Sequence, residues 1–270
     1  MRRSQCGWIL AGAALVLGLG APAAHAITGV YALQAGLTAP GGALVQYSVG
    51  AGGALEPSTP DIALDIAPQD IAVTPDGRFA YVMTSSPAAT AIVPFTRAAS
   101  GRLERSGPAI GLPAVARGII VNPQGTRVYY GRPGGGIRWR AIDADDGTLG
   151  AESSFPIGGG PVATPYAQVL AMTPDGESLY AAQFAPPGGP TLVWQSTIDP
   201  ATGMGTPKTP ASVTFPAAAG GPAPAAVGRM AVTPSGRHLF LASDTPGVGI
   251  GRWAIDRATG ALAGGTVEAP

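Results

Sequence analysis

An all-β propeller of about five four-stranded blades is the fold class this sequence predicts, and three observations predict it. A hairpin recurs at residues 71–82, 119–130, 170–181 and 230–241. A second turn, running from an Asp to a Gly, follows at a regular distance. The turn glycines Gly53, Gly101, Gly147, Gly203 and Gly260 are spaced 48, 46, 56 and 57 residues apart, a period that gives each unit about four short strands. Units this small cannot bury both faces of their own sheet, and radial stacking around a channel is the arrangement that covers them.

Taken in chain order, the first 26 residues read as a transport label. Arg2 and Arg3 form a charged start, residues 8–20 an apolar run, and a small-residue exit ends at Ala26. This pattern implies a cleavable signal peptide and a secreted or extracytoplasmic protein beginning near Ile27. The residues after Arg3 lack the hydrophobic step of a twin-arginine signal, which favours general secretion. The one cysteine, Cys6, precedes the apolar run, so neither a lipid anchor nor a disulfide is expected in the mature chain. No later apolar run is long enough for a transmembrane segment. Charge is balanced, with 16 basic and 16 acidic residues, and no basic footprint for nucleic acid exists.

Past the label, a chain with 41 Gly and 28 Pro still clusters its Val, Ile, Leu and aromatic residues between turns, the texture of a many-stranded β protein. In each hairpin the first strand is an apolar triplet suited to burial on both faces, and the second alternates. Between them Pro presets φ and Gly accepts the left-handed conformation that closes a type I turn with a bulge. The blades are expected at roughly 27–60, 61–110, 111–160, 161–215 and 220–270, after the signal peptide at 1–26. The first offers only three strands, at 30–33, 44–47 and Leu55. Either the ring closes on a three-stranded blade, or the chain is a shortened relative of a larger ring. The stretches 185–190 and 215–227 are uncharged and rich in Pro, Gly and Ala, as surface insertions are.

The hairpin motif apolar-x-Val-x-Pro-Asp-Gly with Tyr-Val after it, followed by Ile-Asp-x-x-Thr-Gly-x-Leu, resembles the lactonase-like propellers of the 6-phosphogluconolactonase type and the related YVTN repeat proteins. The resemblance spans 27–270 and implies a propeller, usually of seven blades, with lactone-binding ancestry. The lactonase branch carries Arg-His before one inner strand and a Glu after the next. Here the Arg position holds Gln69, Arg117, Gln168 and Gly228, and the His position Asp70, Gly118, Val169 and Arg229. Only Arg117 matches, and Tyr130 is followed by Gly131 and Arg132 where the acid belongs.

Residues just before the inner strands of a propeller face one funnel, so Gln69, Asp70, Arg117, Gln168 and Arg229 are the candidate site. Arg117 and Arg229, with Gln69 and Gln168, are expected to bind the oxygens of a small anionic or sugar-like ligand, because a guanidinium offers a planar fork of donors. Asp70 is the one carboxylate of this set and the candidate base for ring-opening of a small lactone. The alternative reading is a non-catalytic ligand- or protein-binding propeller at the cell envelope. No cofactor is implied and no metal site is read. The Asp143–Gly147 stretch lacks the Gly and Glu that a calcium loop requires, and Asp143, Asp199 and Asp256 are expected to cap turn amides. His238, the one histidine past the label, lies by a hairpin tip at the end opposite the funnel. Trp139, Trp194 and Trp253 fall in third strands and are expected to pack between blades.

Overall fold

The computed structural model describes residues 29–35, 41–86, 89–112, 116–132, 136–157, 167–183, 190–216 and 227–268. The predicted signal peptide at 1–26 lies outside the described residues, as does most of both predicted insertions. The first blade consists of β1 (Gly29–Ala35), β2 (Gly42–Val49), β3 (Leu55–Pro57) and β4 (Ile62–Leu64). The second contains β5 (Pro68–Val73), β6 (Phe79–Ser85), β7 (Thr90–Arg97), β8 (Leu103–Arg105) and β9 (Ile110–Leu112). The third is formed by β10 (Arg117–Val121), β11 (Arg127–Gly131), β12 (Ile137–Ala141) and β13 (Ser153–Phe155). The fourth uses β14 (Ala167–Met172), β15 (Ser178–Gln183), β16 (Leu192–Ile198) and β17 (Gly205–Thr214). The fifth is β18 (Val227–Val232), β19 (His238–Ser243), β20 (Ile250–Ile255) and β21 (Leu262–Glu268).

Each blade is an antiparallel sheet that pairs strands in chain order. In the second blade β7 pairs with both β8 and β9, which are two halves of one outer strand. The first blade repeats this with β3 and β4 on β2. Its β1 therefore matches β6, with Tyr31 opposite Gln46 as Tyr81 is opposite Pro94. The innermost position of the first blade is empty among the described residues, in keeping with the three strands read from its sequence.

All four hairpin turns form as their residues dictate. Gly77, Gly125, Gly176 and Gly236 have φ of 71, 70, 81 and 68°, and each donates its amide to the carbonyl three residues back. The residue before the turn proline, Thr in three hairpins and Asn122 in the third blade, completes the device. Thr74 Oγ1 donates to Asp76 Oδ1 at 2.6 Å and accepts from the Phe79 amide at 3.0 Å. In the second turn Asp143, Asp199 and Asp256 accept from amides two residues on, at 2.8, 2.8 and 3.0 Å. The Thr202 and Thr259 hydroxyls are the leading donors that hold the Asp199 and Asp256 carboxyls below the usual carboxylate range. Both folded values are depressed, so what these caps contribute is present above the ordinary carboxylate pKa and is lost as pH falls through the lowered one.

Blades are joined by four cores, one in each seam between successive blades. No such core joins the fifth blade to the first among the described residues, so the sheets do not close into a ring. Leu55, on the first blade, is 52% exposed where its counterparts Leu103 and Leu262 are 1% and 5% exposed. A tyrosine six residues past three of the four turn prolines ties one blade to the next. Tyr81, Tyr129 and Tyr180 donate to the carbonyls of Gly147, Gly203 and Gly260 at 2.8, 3.3 and 2.7 Å. Burial pushes the Tyr129 phenol up to about 12 and raises the other two as well. The fifth blade has Phe240 at this position. Tyr180→Phe is expected to destabilise the protein by about 1–2 kcal/mol, because the partly buried Gly260 carbonyl loses its donor. Urea unfolding should show a lower midpoint at unchanged slope.

Candidate functional site

The inner strands β5, β10, β14 and β18 lie side by side in that order. Each starts with a break in its ladder: between Pro68 and Asp70, Arg117 and Ile119, Ala167 and Val169, and Val227 and Met230. An extra residue at such a point ends pairing and re-aims the side chains beside it. Gln69, Gly118, Gln168 and the Gly228–Arg229 pair occupy these bulges, so the predicted site coincides with the irregular start of every inner strand.

Among the candidates, the structure joins Asp70 and Arg229. Arg229 Nη1 donates to Asp70 Oδ1 at 2.7 Å, across from the fifth blade to the second. Asp70 is the sheltered partner, its side chain 14% exposed against 54% for Arg229. Its Oδ1 also accepts from the Ile71 amide at 3.0 Å, and its Oδ2 from the Ile119 amide of the third blade at 3.1 Å. One carboxylate thus connects three blades. Arg117 and Gln69 are exposed, and their side chains make no hydrogen bond or ion pair among the described residues. Gln168 lies at its bulge in β14, and its side chain is outside the described residues.

Two acids near the funnel end escaped the sequence alignment. Asp244 follows β19, is exposed, and has no hydrogen bond or ion pair among the described residues. Its Oδ1 stands over the bulge, 2.3 Å from where a side chain on Gly228 would place its Cβ. Position alone marked it: an acid directly after the second strand. Glu152 reaches the place where Arg132 stood for the expected acid, arriving from just before β13. It accepts from Arg132 Nη1 at 2.9 Å and Tyr130 Oη at 2.6 Å, with Arg138 and Arg140 each 3.9 Å away. Three guanidiniums and a phenol surround this carboxylate, so its oxygens are taken up by contacts within the third blade.

The remaining candidates are structural. His238 Nε2 lies 3.0 Å from Arg252 Nη2 at a hairpin tip. Trp253 is buried and packs edge-on against Phe215, their centroids 5.9 Å apart, and Trp194 donates to Gln183 Oε1 at 2.9 Å. Trp139 lies beneath the Arg127 guanidinium at 5.3 Å. No helix among the described residues is long and apolar enough to cross a membrane.

No family model and no curated protein sequence matches the chain. Solved structures do. The periplasmic gluconolactonase of Pseudomonas aeruginosa superposes with a TM-score of 0.69 at 15% identity, covering 91% of this chain and 68% of the other. A protein provisionally called a 6-phosphogluconolactonase, from Bacteroides uniformis, gives 0.68 at 16% identity, over 91% and 70%. A second such protein, from Bacteroides fragilis, gives 0.62 at 20% identity, over 87% and 66%. The fold is lactonase-like, and the chain spans about two thirds of the length of these neighbours.

Proposed function

We propose that this chain is an exported lactonase-type propeller whose funnel holds a small sugar or organic-acid lactone and opens its ring. The observation that carries the reading is the Asp70–Arg229 pair, which anchors a half-exposed guanidinium at the mouth of the inner strands. Likeness of fold to the gluconolactonase supports the ligand class. The signal-like residues 1–26 support export.

In this reading Arg229 and Arg117 receive the carbonyl or anionic oxygens of the ligand, and Gln69 and Gln168 line the mouth. The three hydrogen bonds on Asp70 suit an anchor better than a base. We therefore assign the proton-accepting role, expected from sequence at Asp70, to Asp244, which is unpaired among the described residues. Water attacks the lactone carbonyl carbon as the carboxylate takes its proton. The oxyanion faces a guanidinium, and the ring C–O bond then breaks, with the proton returned to the departing oxygen. The products are one hydroxyl and one carboxylic acid, which ionises and releases its proton to solvent.

The test is a panel of aldonolactones, followed by pH-stat, on the wild type and on Arg117→Ala and Asp244→Asn. Removing a positioned base costs about 10²–10⁴-fold in rate, so Asp244→Asn is expected to lose about a hundredfold in kcat with little change in KM. A wild type that binds lactone without turnover would sink the hydrolytic half. That second reading, a binding propeller, is favoured by the occupied oxygens of Asp70.

A further inference from the structure

At the end opposite the funnel, hairpin tips of one blade meet the Asp-to-Gly turn of the next. In the seam between the second and third blades, Arg78 spans the gap. Its Nη1 donates to the Ala144 carbonyl at 3.0 Å and its Nη2 to the Asp145 carbonyl at 3.1 Å. The next seam repeats the arrangement. Arg127 Nη1 donates to the Pro200 carbonyl at 2.9 Å and Nη2 to the Ala201 carbonyl at 2.6 Å. The two arginines come from different offsets, three and four residues past the turn proline, yet find the same pair of oxygens. That pair, one and two residues past the turn aspartate, is a built receptor for a guanidinium.

The seam between the fourth and fifth blades has the receptor without the arginine. Glu177 and Ser178 occupy the two offsets, and the matching carbonyls, of Arg257 and Ala258, accept no hydrogen bond among the described residues. A groove of about 710 Å³ opens there, lined by both of those residues and by Asp175, Glu177 and Asp256. Lys208, the sole lysine, enters from β17, but its Nζ donates to Thr197 Oγ1 and to the Thr259 carbonyl, one residue too far along. A single ammonium therefore leaves the paired oxygens open, where a planar fork takes both. Desolvation lowers the Lys208 pKa, and the nearby Asp175 and Glu177 oppose that shift. The acids at the rim thus add attraction for a second cation.

We infer that this groove is a second binding site, for the guanidinium group of a ligand, held by the Arg257 and Ala258 carbonyls with Glu177 as counter-charge. The cavity is much larger than the group itself, which fits an arginine side chain on an extended molecule as well as a free alkylguanidine. The inference stands apart from the funnel, since it lies at the other end of the blades.

Calorimetric titration of the purified protein with agmatine, and with 1,4-diaminobutane as its ammonium counterpart, tests it. Agmatine is expected to bind about tenfold more tightly, the difference of one charge-assisted hydrogen bond. A blocked Gly-Arg-Gly peptide binding more tightly than agmatine would identify an extended ligand, and equal binding a free one. Glu177→Arg places at the exposed rim the residue that Arg78 supplies in the second blade. It should abolish agmatine binding and raise the unfolding midpoint, while Glu177→Gln weakens binding several-fold. Equal affinity for agmatine and diaminobutane, or undiminished agmatine binding in both variants, overturns the site.

Discussion

Asp70→Ala is expected to abolish ligand capture in the funnel and to cost about 2–4 kcal/mol of stability, because it strands donors on three blades. The amides of Ile71 and Ile119 lose their acceptor, and Arg229 loses the oxygen that orients it. The amides account for most of the stability loss. They are partly buried at the bulges, where no ladder partner replaces the carboxylate. The ion pair itself adds little, since Arg229 is half exposed and water screens its charge. Asp70→Asn retains one acceptor oxygen and should fall between wild type and Ala in urea unfolding, with ligand binding weakened about tenfold or more as the charge on Arg229 loses its anchor. Arg229→Ala should lose binding with nearly wild-type stability. Equal stability loss in the Asp70 and Arg229 variants would mean that the ion pair, and not the capped amides, carries the stability.

Gly147→Ala is expected to destabilise the protein by about 3–4 kcal/mol, the sum of a left-handed backbone penalty and an overpacked seam. Gly147 has φ of 76°, and a Cβ there would lie 2.4 Å from Cδ1 of the buried Phe79 ring. The ring sits in the core between the second and third blades and has no free direction to yield. Displacing the turn also breaks the bond from Tyr81 to the Gly147 carbonyl. Gly101→Ala is the control: φ is 85°, but the nearest atom is the end of the flexible Arg97 side chain at 3.4 Å. It should cost about 1–2 kcal/mol, the backbone term alone. For a chain of this size, about 2–4 °C of melting temperature is lost per kcal/mol, so calorimetry separates the two variants readily.

The bulged inner strands explain why the funnel is partly legible in the sequence. Counting back from a turn proline finds every residue at the start of an inner strand, because the hairpin holds a constant length in each repeat. The count placed Gln69, Asp70, Arg117, Gln168 and Arg229 together and left out Asp244 and Glu152. Asp244 lies directly after the constant hairpin, outside the positions before the inner strands, and Glu152 comes from a loop of unequal length, where residue counting has no fixed origin. The tyrosine ties were readable in principle, since their offset from the turn proline never varies. Their partners lie 66 to 80 residues away, beyond what a local pattern names.

What the sequence determined by itself is everything set by short-range geometry: the hairpins, both turns, the four-strand unit and its recurrence. Pro, Asp and Gly restrict φ and ψ within a few residues, and apolar spacing then chooses the buried face. Only the tertiary structure decided which charges meet. Asp70 and Arg229 are 159 residues apart, and their pairing follows from how far successive blades turn about the axis. The same holds for the groove between the fourth and fifth blades. Its missing arginine is visible in the alignment of repeats, but the pair of carbonyl oxygens it leaves open appears when two neighbouring blades are seen packed together.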